Sequence, residues 1–184
     1  MKKYRDFMPS ARVLRPGESY ILDVAPIYRG FTCDVGYSSS LGESEELRQA
    51  VEFLKELREE IPSLFISGHT GGKIWETIDK RIKKAGYQNA YKKYPFSVVG
   101  HRTHKNLEFI PKVKVMNFGW QSYWSLLSRG LFGQLLTPHF EGDLKGLWAI
   151  EPHLSSKTFG AKFEEILIVE EKKAYWLDRP DFAF

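Results

Sequence analysis

Apolar residues recur along this chain in two rhythms, one of helical period and one of strand length. From Ser44, with Glu45 and Glu46 directly behind it, Leu47, Ala50, Val51, Leu54, Leu57 and Ile61 return every three or four positions. That spacing places them on one face of a helix, with Ser44 able to accept from the unpaired N–H groups of the first turn. Pro62 has no N–H and its ring crowds the preceding turn, so it predicts the end of this helix. A second helix is predicted after Thr70, with Ile74, Ile78, Ile82 and Ala85 on one stripe and Gly86 at its end. The other apolar runs are too short for helices. Residues 20–24 and 31–35 flank a turn-like segment containing Pro26 and Gly30 and predict a β-hairpin. Residues 96–101, 146–151 and 163–169 predict further strands and 112–115 a weaker one, while 102–111 carries no period. Residues 120–140 hold Trp120, Tyr123, Trp124, Phe132 and Phe140 among leucines and fit a helix, a packed loop, a lid or a subunit contact. With no repeat or linker, the pattern predicts a single α+β domain over residues 1–184.

Composition narrows the class. A chain of 184 residues that is 42% hydrophobic can bury a core without disulfides, which excludes a disordered or staple-dependent protein. Cys33 is the single cysteine, which suits a reducing compartment, and the basic N-terminus has no apolar segment behind it. Apolar runs fall far short of the roughly 20 residues that cross a bilayer. A cytoplasmic protein with no membrane partner is expected. The net charge of +4 is modest, and the cluster Lys80, Arg81, Lys83, Lys84, Lys92 and Lys93 reads as a solvated helix face. A nucleic acid partner is therefore not expected, although Tyr87, Tyr91 and Tyr94 interleave with these charges.

The chemistry lies in carboxylates set among apolar strand residues. Asp23 and Asp34 interrupt the two hairpin strands, and Asp is depleted from strands in general. A turn at Tyr28-Arg29 would set them directly opposite one another, where like charges repel. A raised pKa, a basic neighbour such as Arg29, or a divalent cation between them would relieve the conflict. Glu151 ends one apolar strand, Glu164 opens another and His101 ends a third. Four carboxylates and one imidazole form a donor set for one or two divalent transition ions.

These positions carry a family resemblance. Residues 14–24, with Arg15-Pro16-Gly17 leading to Asp23, then Tyr28-Arg29-Gly30-Phe31-Thr32-Cys33-Asp34 and Leu41-Gly42, resemble the ligand hairpin of the pita-bread metallopeptidases. That superfamily includes methionine aminopeptidases, Xaa-Pro aminopeptidases, prolidases and creatinase. Gly100-His101, Ile150-Glu151-Pro152 and Gly160-Ala161-Lys162-Phe163-Glu164 resemble its later motifs, in the family's order, over about residues 12–170. The resemblance implies a pita-bread fold, N-terminally shortened, because an early wall of the family's catalytic domain has no counterpart here. It implies metal ligands Asp23, Asp34, His101, Glu151 and Glu164, with Asp34 and Glu164 bridging two divalent ions (Mn, Co, Fe or Zn). Glu165 is the alternative if the last strand is out of register. The implied activity is hydrolysis of an N-terminal peptide bond, of aminopeptidase or Xaa-Pro dipeptidase type, through a hydroxide held by the ion pair. Glu151 would move the proton, and His104 or His139 would stabilise the oxyanion and contact the peptide substrate. The sequence departs from the family after His101, where Arg102-Thr103-His104 replaces a glycine-rich turn. That departure keeps open a second reading, an inactive pita-bread module that binds peptides or proteins; separately, residues 120–140 offer a contact for a homo-oligomer.

Overall fold

Ser44 caps the first helix as its position predicts: its Oγ accepts from the Leu47 N–H at 3.4 Å, at the head of α1, Glu45–Phe65. This computed structural model describes residues 11–105 and 127–177. The helix does not stop at Pro62; it continues through it to Phe65. The carbonyl that Pro62 leaves without a partner, four residues back on Arg58, accepts instead from Trp176 Nε1 at 3.2 Å. Phe65 is in turn buried beside Trp148, their rings 6.1 Å apart, so the last turn is held by packing as well. The second helix, α2 (Gly71–Lys84), follows the prediction at both ends. Thr70 Oγ1 accepts from the Lys73 N–H at 3.3 Å. At the other end Gly86 turns left-handed, its N–H donating to the Lys83 carbonyl and that of Tyr87 to Ile82. Those are the two bonds of a Schellman stop, and a side chain at Gly86 would strain it.

The strands, in chain order, are β1 (Ser19–Val24), β2 (Ile27–Tyr28), β3 (Phe31–Thr32), β4 (Val35–Ser40), β5 (Gln88–Asn89) and β6 (Gly100–Thr103). They continue with β7 (Leu135–Leu136), β8 (Gly146–Ile150), β9 (His153–Ser155), β10 (Gly160–Val169) and β11 (Ala174–Trp176). The main sheet runs β1-β4-β10-β8-β6-β7, with β11 and β9 also paired to β10. All of these pairings are antiparallel. Both helices cover one face of this sheet. Leu54, Leu57, Ile61, Ile74, Ile78 and Ile82 meet Trp148, Ile150, Phe163 and Leu167 in one core. Each fully buried side chain of that size stabilises the fold by about 1.5–3 kcal/mol.

Two predicted boundaries shift. The hairpin turns at Arg29-Gly30, both with positive φ, which is a two-residue turn matched to strand twist. The register is therefore Tyr28↔Phe31 and, further out, Asp23↔Gly36. Asp23 does not stand opposite Asp34; the shift by two leaves it on the same face. The strand predicted at 96–101 begins only at Gly100 and extends to Thr103, because Pro95–Ser97 forms a 3₁₀ turn in which Phe96 and Ser97 have positive φ. The Ser97 carbonyl is held there by Trp75 Nε1 at 2.7 Å. The weak strand at 112–115 and the residues Trp120, Tyr123 and Trp124 lie outside the described residues. The C-terminal part of 120–140 joins the core: β7 pairs with β6, and Phe140 packs edge-on to Trp148 at 5.3 Å. Among the described residues no helix is long and apolar enough to cross a membrane.

Candidate metal centre

Alternation along β10 separates its two neighbouring glutamates. Glu165 points with Phe163 and Leu167 to the helix side, where Arg58 holds it through Nε at 2.9 Å and Nη2 at 2.6 Å. It is a structural partner of α1, on the side of the strand away from the carboxylate cluster. Glu164 lies on the opposite face, paired across the sheet with Gly36 of β4, which is itself paired with Asp23 of β1. On the other edge the pairs Glu165↔Ile150 and Lys162↔His153 keep one continuous register. Glu151, in the short break between β8 and β9, therefore stands opposite Glu164, and its N–H donates to the Val99 carbonyl at 2.9 Å. Gly100 lets the neighbouring strand come this close, since a Cβ there would lie 2.6 Å from the Ala149 carbonyl oxygen.

Asp34 enters from the hairpin. It sits in the break between β3 and β4, just past the Cys33 N–H bond back to the Pro26 carbonyl, and is only 2% exposed. Its Oδ2 lies 3.4 Å from Nε2 of the buried His101, whose Nδ1 is 3.2 Å from the Arg102 carbonyl. Asp34, His101 and Glu164 each offer one ligand atom, and these atoms lie within 4.8 Å of one another. These are hard oxygen donors with one imidazole, the donor chemistry of a divalent transition ion, and the residues fit such an ion.

Beside this trio the cluster holds a cation of its own. Lys162, on the same face of β10 as Glu164, is 4% exposed at its side chain. Its Nζ donates to Glu164 Oε2 at 2.5 Å, Asp23 Oδ2 at 2.9 Å and Glu151 Oε2 at 3.2 Å. Gly36 makes the room: a Cβ there would lie 3.2 Å from both Lys162 Cε and Glu164 Cβ. Asp23 and Asp34 are thus joined through Lys162 and Glu164, not by facing one another. Lys162 carries the same signal that marks Asp23, a charged residue inside an apolar strand, and it stands two positions before Glu164, hence on its face.

The electrostatics follow from crowding. Burial opposes charge on Lys162, but Glu151, Glu164 and Asp23 outweigh it and hold the ammonium firmly protonated. Glu164 is pushed well above the ordinary carboxylate range by burial and by Glu151, against the pull of Lys162. One lysine therefore does not offset the crowding of carboxylates, and Glu164 holds a proton more readily than an ordinary carboxyl. Burial also works against an imidazolium at His101, yet the hydrogen bond and charge of Asp34, with Glu151, raise its pKa above the usual value. Behind the cluster, burial and the charges of Lys162 and Lys93 push His153 down to about 3. Burial and the nearby carboxylates raise Tyr94, whose hydroxyl is hydrogen-bonded to His153 Nδ1 at 2.6 Å.

The other two candidate histidines stand elsewhere. His104 is half-buried, with Nε2 2.6 Å from Gln134 Oε1, and burial lowers its pKa. His139 is exposed on the turn after β7 and lines a cleft of about 400 Å³ with Thr70, Trp75 and Glu76 at the start of α2. None of the residues lining that cleft belongs to the carboxylate cluster.

A sheet with helices on one face and a buried carboxylate–imidazole cluster on the other is the pita-bread arrangement that the sequence resemblance implies. The model of metallopeptidase family M24 matches residues 3–171, and the chain belongs to that family. No curated protein matches it. Among solved structures it is similar to a prolidase from Thermococcus sibiricus, with 23% identity, a TM-score of 0.64, and 95% of this chain covering 41% of that one. A dipeptidase from Pyrococcus horikoshii gives 22% and 0.65, with 93% of this chain covering 42% of that one. A methionine aminopeptidase from Rickettsia prowazekii gives 16% and 0.56, with 92% covering 67%. The chain thus spans about two-fifths of the length of the prolidase and the dipeptidase.

Proposed function

We propose that this protein is a divalent-metal peptidase that cleaves at the N-terminal end of a peptide, with Asp34, His101 and Glu164 as the core of its metal site and Asp23 and Glu151 beside them. The observation that supports this reading most directly is the meeting of Asp34, His101 and Glu164, contributed by three separate elements, with their ligand atoms within 4.8 Å. A bound divalent ion would supply Lewis acidity, polarising a carbonyl and making a water a competent nucleophile near neutral pH. This chain's own part is to hold and move protons. Glu151 is less deeply buried than Glu164, with 12% of its side chain exposed, and its Oε2 is oriented by Lys162, so it is the carboxylate placed to accept a proton from an incoming nucleophile. The prolidase, dipeptidase and methionine aminopeptidase among its structural relatives suggest two substrate classes, Xaa-Pro dipeptides and peptides with a free N-terminal residue.

The test is hydrolysis of both classes by protein stripped of metal and reloaded with Mn²⁺. The expected result is metal-dependent release of the N-terminal residue, lost in Glu151→Gln. A second reading, a binding module without turnover, is favoured by one observation: the Lys162 ammonium satisfies three of the carboxylates without any metal. Peptide binding with no hydrolysis by the metal-loaded protein would establish that reading and exclude the first.

A further inference from the structure

We propose that Lys162 is a built-in cation standing in one of the two ion positions that the five-ligand set implies, so that this chain holds a single divalent ion, at Asp34, His101 and Glu164. The inference rests on the metal-site reading above and deepens it. An ammonium has three N–H donors, and Lys162 Nζ meets three carboxylate oxygens from three different segments: Asp23 Oδ2 on β1, Glu164 Oε2 on β10 and Glu151 Oε2 after β8. Its hydrogen-bonding capacity is filled. Those are also the groups that a second ion would have to recruit, since Asp34 and His101 serve the first. The stem has no slack either. It is buried, and it lies against the bare backbone of Gly36, where even one added carbon would crowd Lys162 Cε.

Charge leads to the same count. Counted with every carboxylate deprotonated, as metal ligation requires, four carboxylates and one ammonium leave a deficit of three positive charges. One divalent ion reduces it to one. A second would have to enter beside a fixed ammonium in a site that no longer holds enough negative charge, where repulsion between cations is little screened. The remaining trio still makes a sound single-ion site, with three protein ligands and positions left for water or substrate.

The experiment counts ions, so it does not depend on turnover. The metal-free 184-residue chain is titrated with Mn²⁺ by calorimetry, and bound metal is counted by elemental analysis after gel filtration, for wild type and Lys162→Met. The expected result is one equivalent in wild type and two in Lys162→Met. Two equivalents in wild type, or one in both, would overturn the role of Lys162 while leaving the metal site standing. Binding of none by wild type would overturn the metal-site reading itself. Because Lys162→Met leaves buried carboxylates unpaired and can fail to fold, the electron paramagnetic resonance of wild type with excess Mn²⁺ gives an independent answer. The spectrum of an isolated ion supports the proposal, and that of an exchange-coupled pair refutes it.

Discussion

Removing Arg58 tests whether the two adjacent glutamates of β10 have the separate roles their faces give them. Arg58 and Glu165 form a two-point ion pair between α1 and β10, with side-chain exposures of 13% and 4%. Arg58→Ala leaves the Glu165 carboxylate buried without that partner, and breaking a buried pair from one side costs about 3–5 kcal/mol. The guanidinium also lies 4.9 Å from the centre of the Trp176 ring, a contact worth a further ~0.5–1 kcal/mol. For a chain of this size each kcal/mol lowers Tm by about 2–4 °C, so a fall of roughly 10 °C or more is expected. The double variant Arg58→Met, Glu165→Leu replaces both charges by apolar groups and recovers most of the loss, because a buried pair contributes little over well-packed apolar side chains. Urea unfolding with a fixed m-value measures both. Mn²⁺ binding should be unchanged in the double variant, since Glu165 faces the helices. A loss below about 1 kcal/mol in Arg58→Ala would refute the structural role of the pair, and loss of Mn²⁺ binding in the double variant would make Glu165 a ligand.

Trp176→Phe removes the donor to the carbonyl that Pro62 leaves open and should cost about 1–2 kcal/mol; in a Pro62→Ala background the restored helix bond should make the same change markedly less costly, as a double-mutant cycle by urea unfolding would measure. Gly36→Ala crowds Lys162 and Glu164 and should lower stability by about 1–3 kcal/mol, whereas Gly133→Ala, with nothing near its Cβ position, should change it little. Asp79 gives the pH dependence: burial opposes its charge, but Lys83, Lys92 and Asn89 bond it strongly enough to hold its pKa below the ordinary 3.8. As pH falls past 3.8 the unfolded chain takes up the proton first, so the stabilisation present above that value is lost on the way down through the folded pKa. Asp79→Asn should flatten the acid limb of stability against pH, and an unchanged limb would contradict the assignment.

Helix ends were legible because their signals are local: Ser44, Thr70 and Gly86 each act within one turn. Pro62 misled for the opposite reason, since the group that compensates for it, Trp176, is over a hundred residues away. The hairpin register depended on whether Tyr28-Arg29 or Arg29-Gly30 forms the turn, and the left-handed backbone at Gly30 as well as Arg29 decides for the latter. The carboxylates stood out as charges on apolar strands, and the family resemblance ordered them. What sets their electrostatics was signalled but not read: Lys162 is a charge on an apolar strand like Asp23, and its role shows only once Gly36 is seen to open a space for it. Likewise the histidines beyond His101 could be named but not placed, because the connections that direct His104 to Gln134 and His139 to the start of α2 are set by tertiary packing.

The most direct test of the metal centre is calorimetric titration of metal-free protein with Mn²⁺, wild type against Asp34→Ala, with circular dichroism to establish that both are folded. Asp34 supplies one of three converging ligands, and even removing a supporting contact behind a ligand costs about 10–100-fold in affinity. The account predicts saturable binding by wild type and a loss of at least that size in folded Asp34→Ala. Wild-type protein that takes up no Mn²⁺, or an Asp34→Ala variant that binds it equally well, would contradict it.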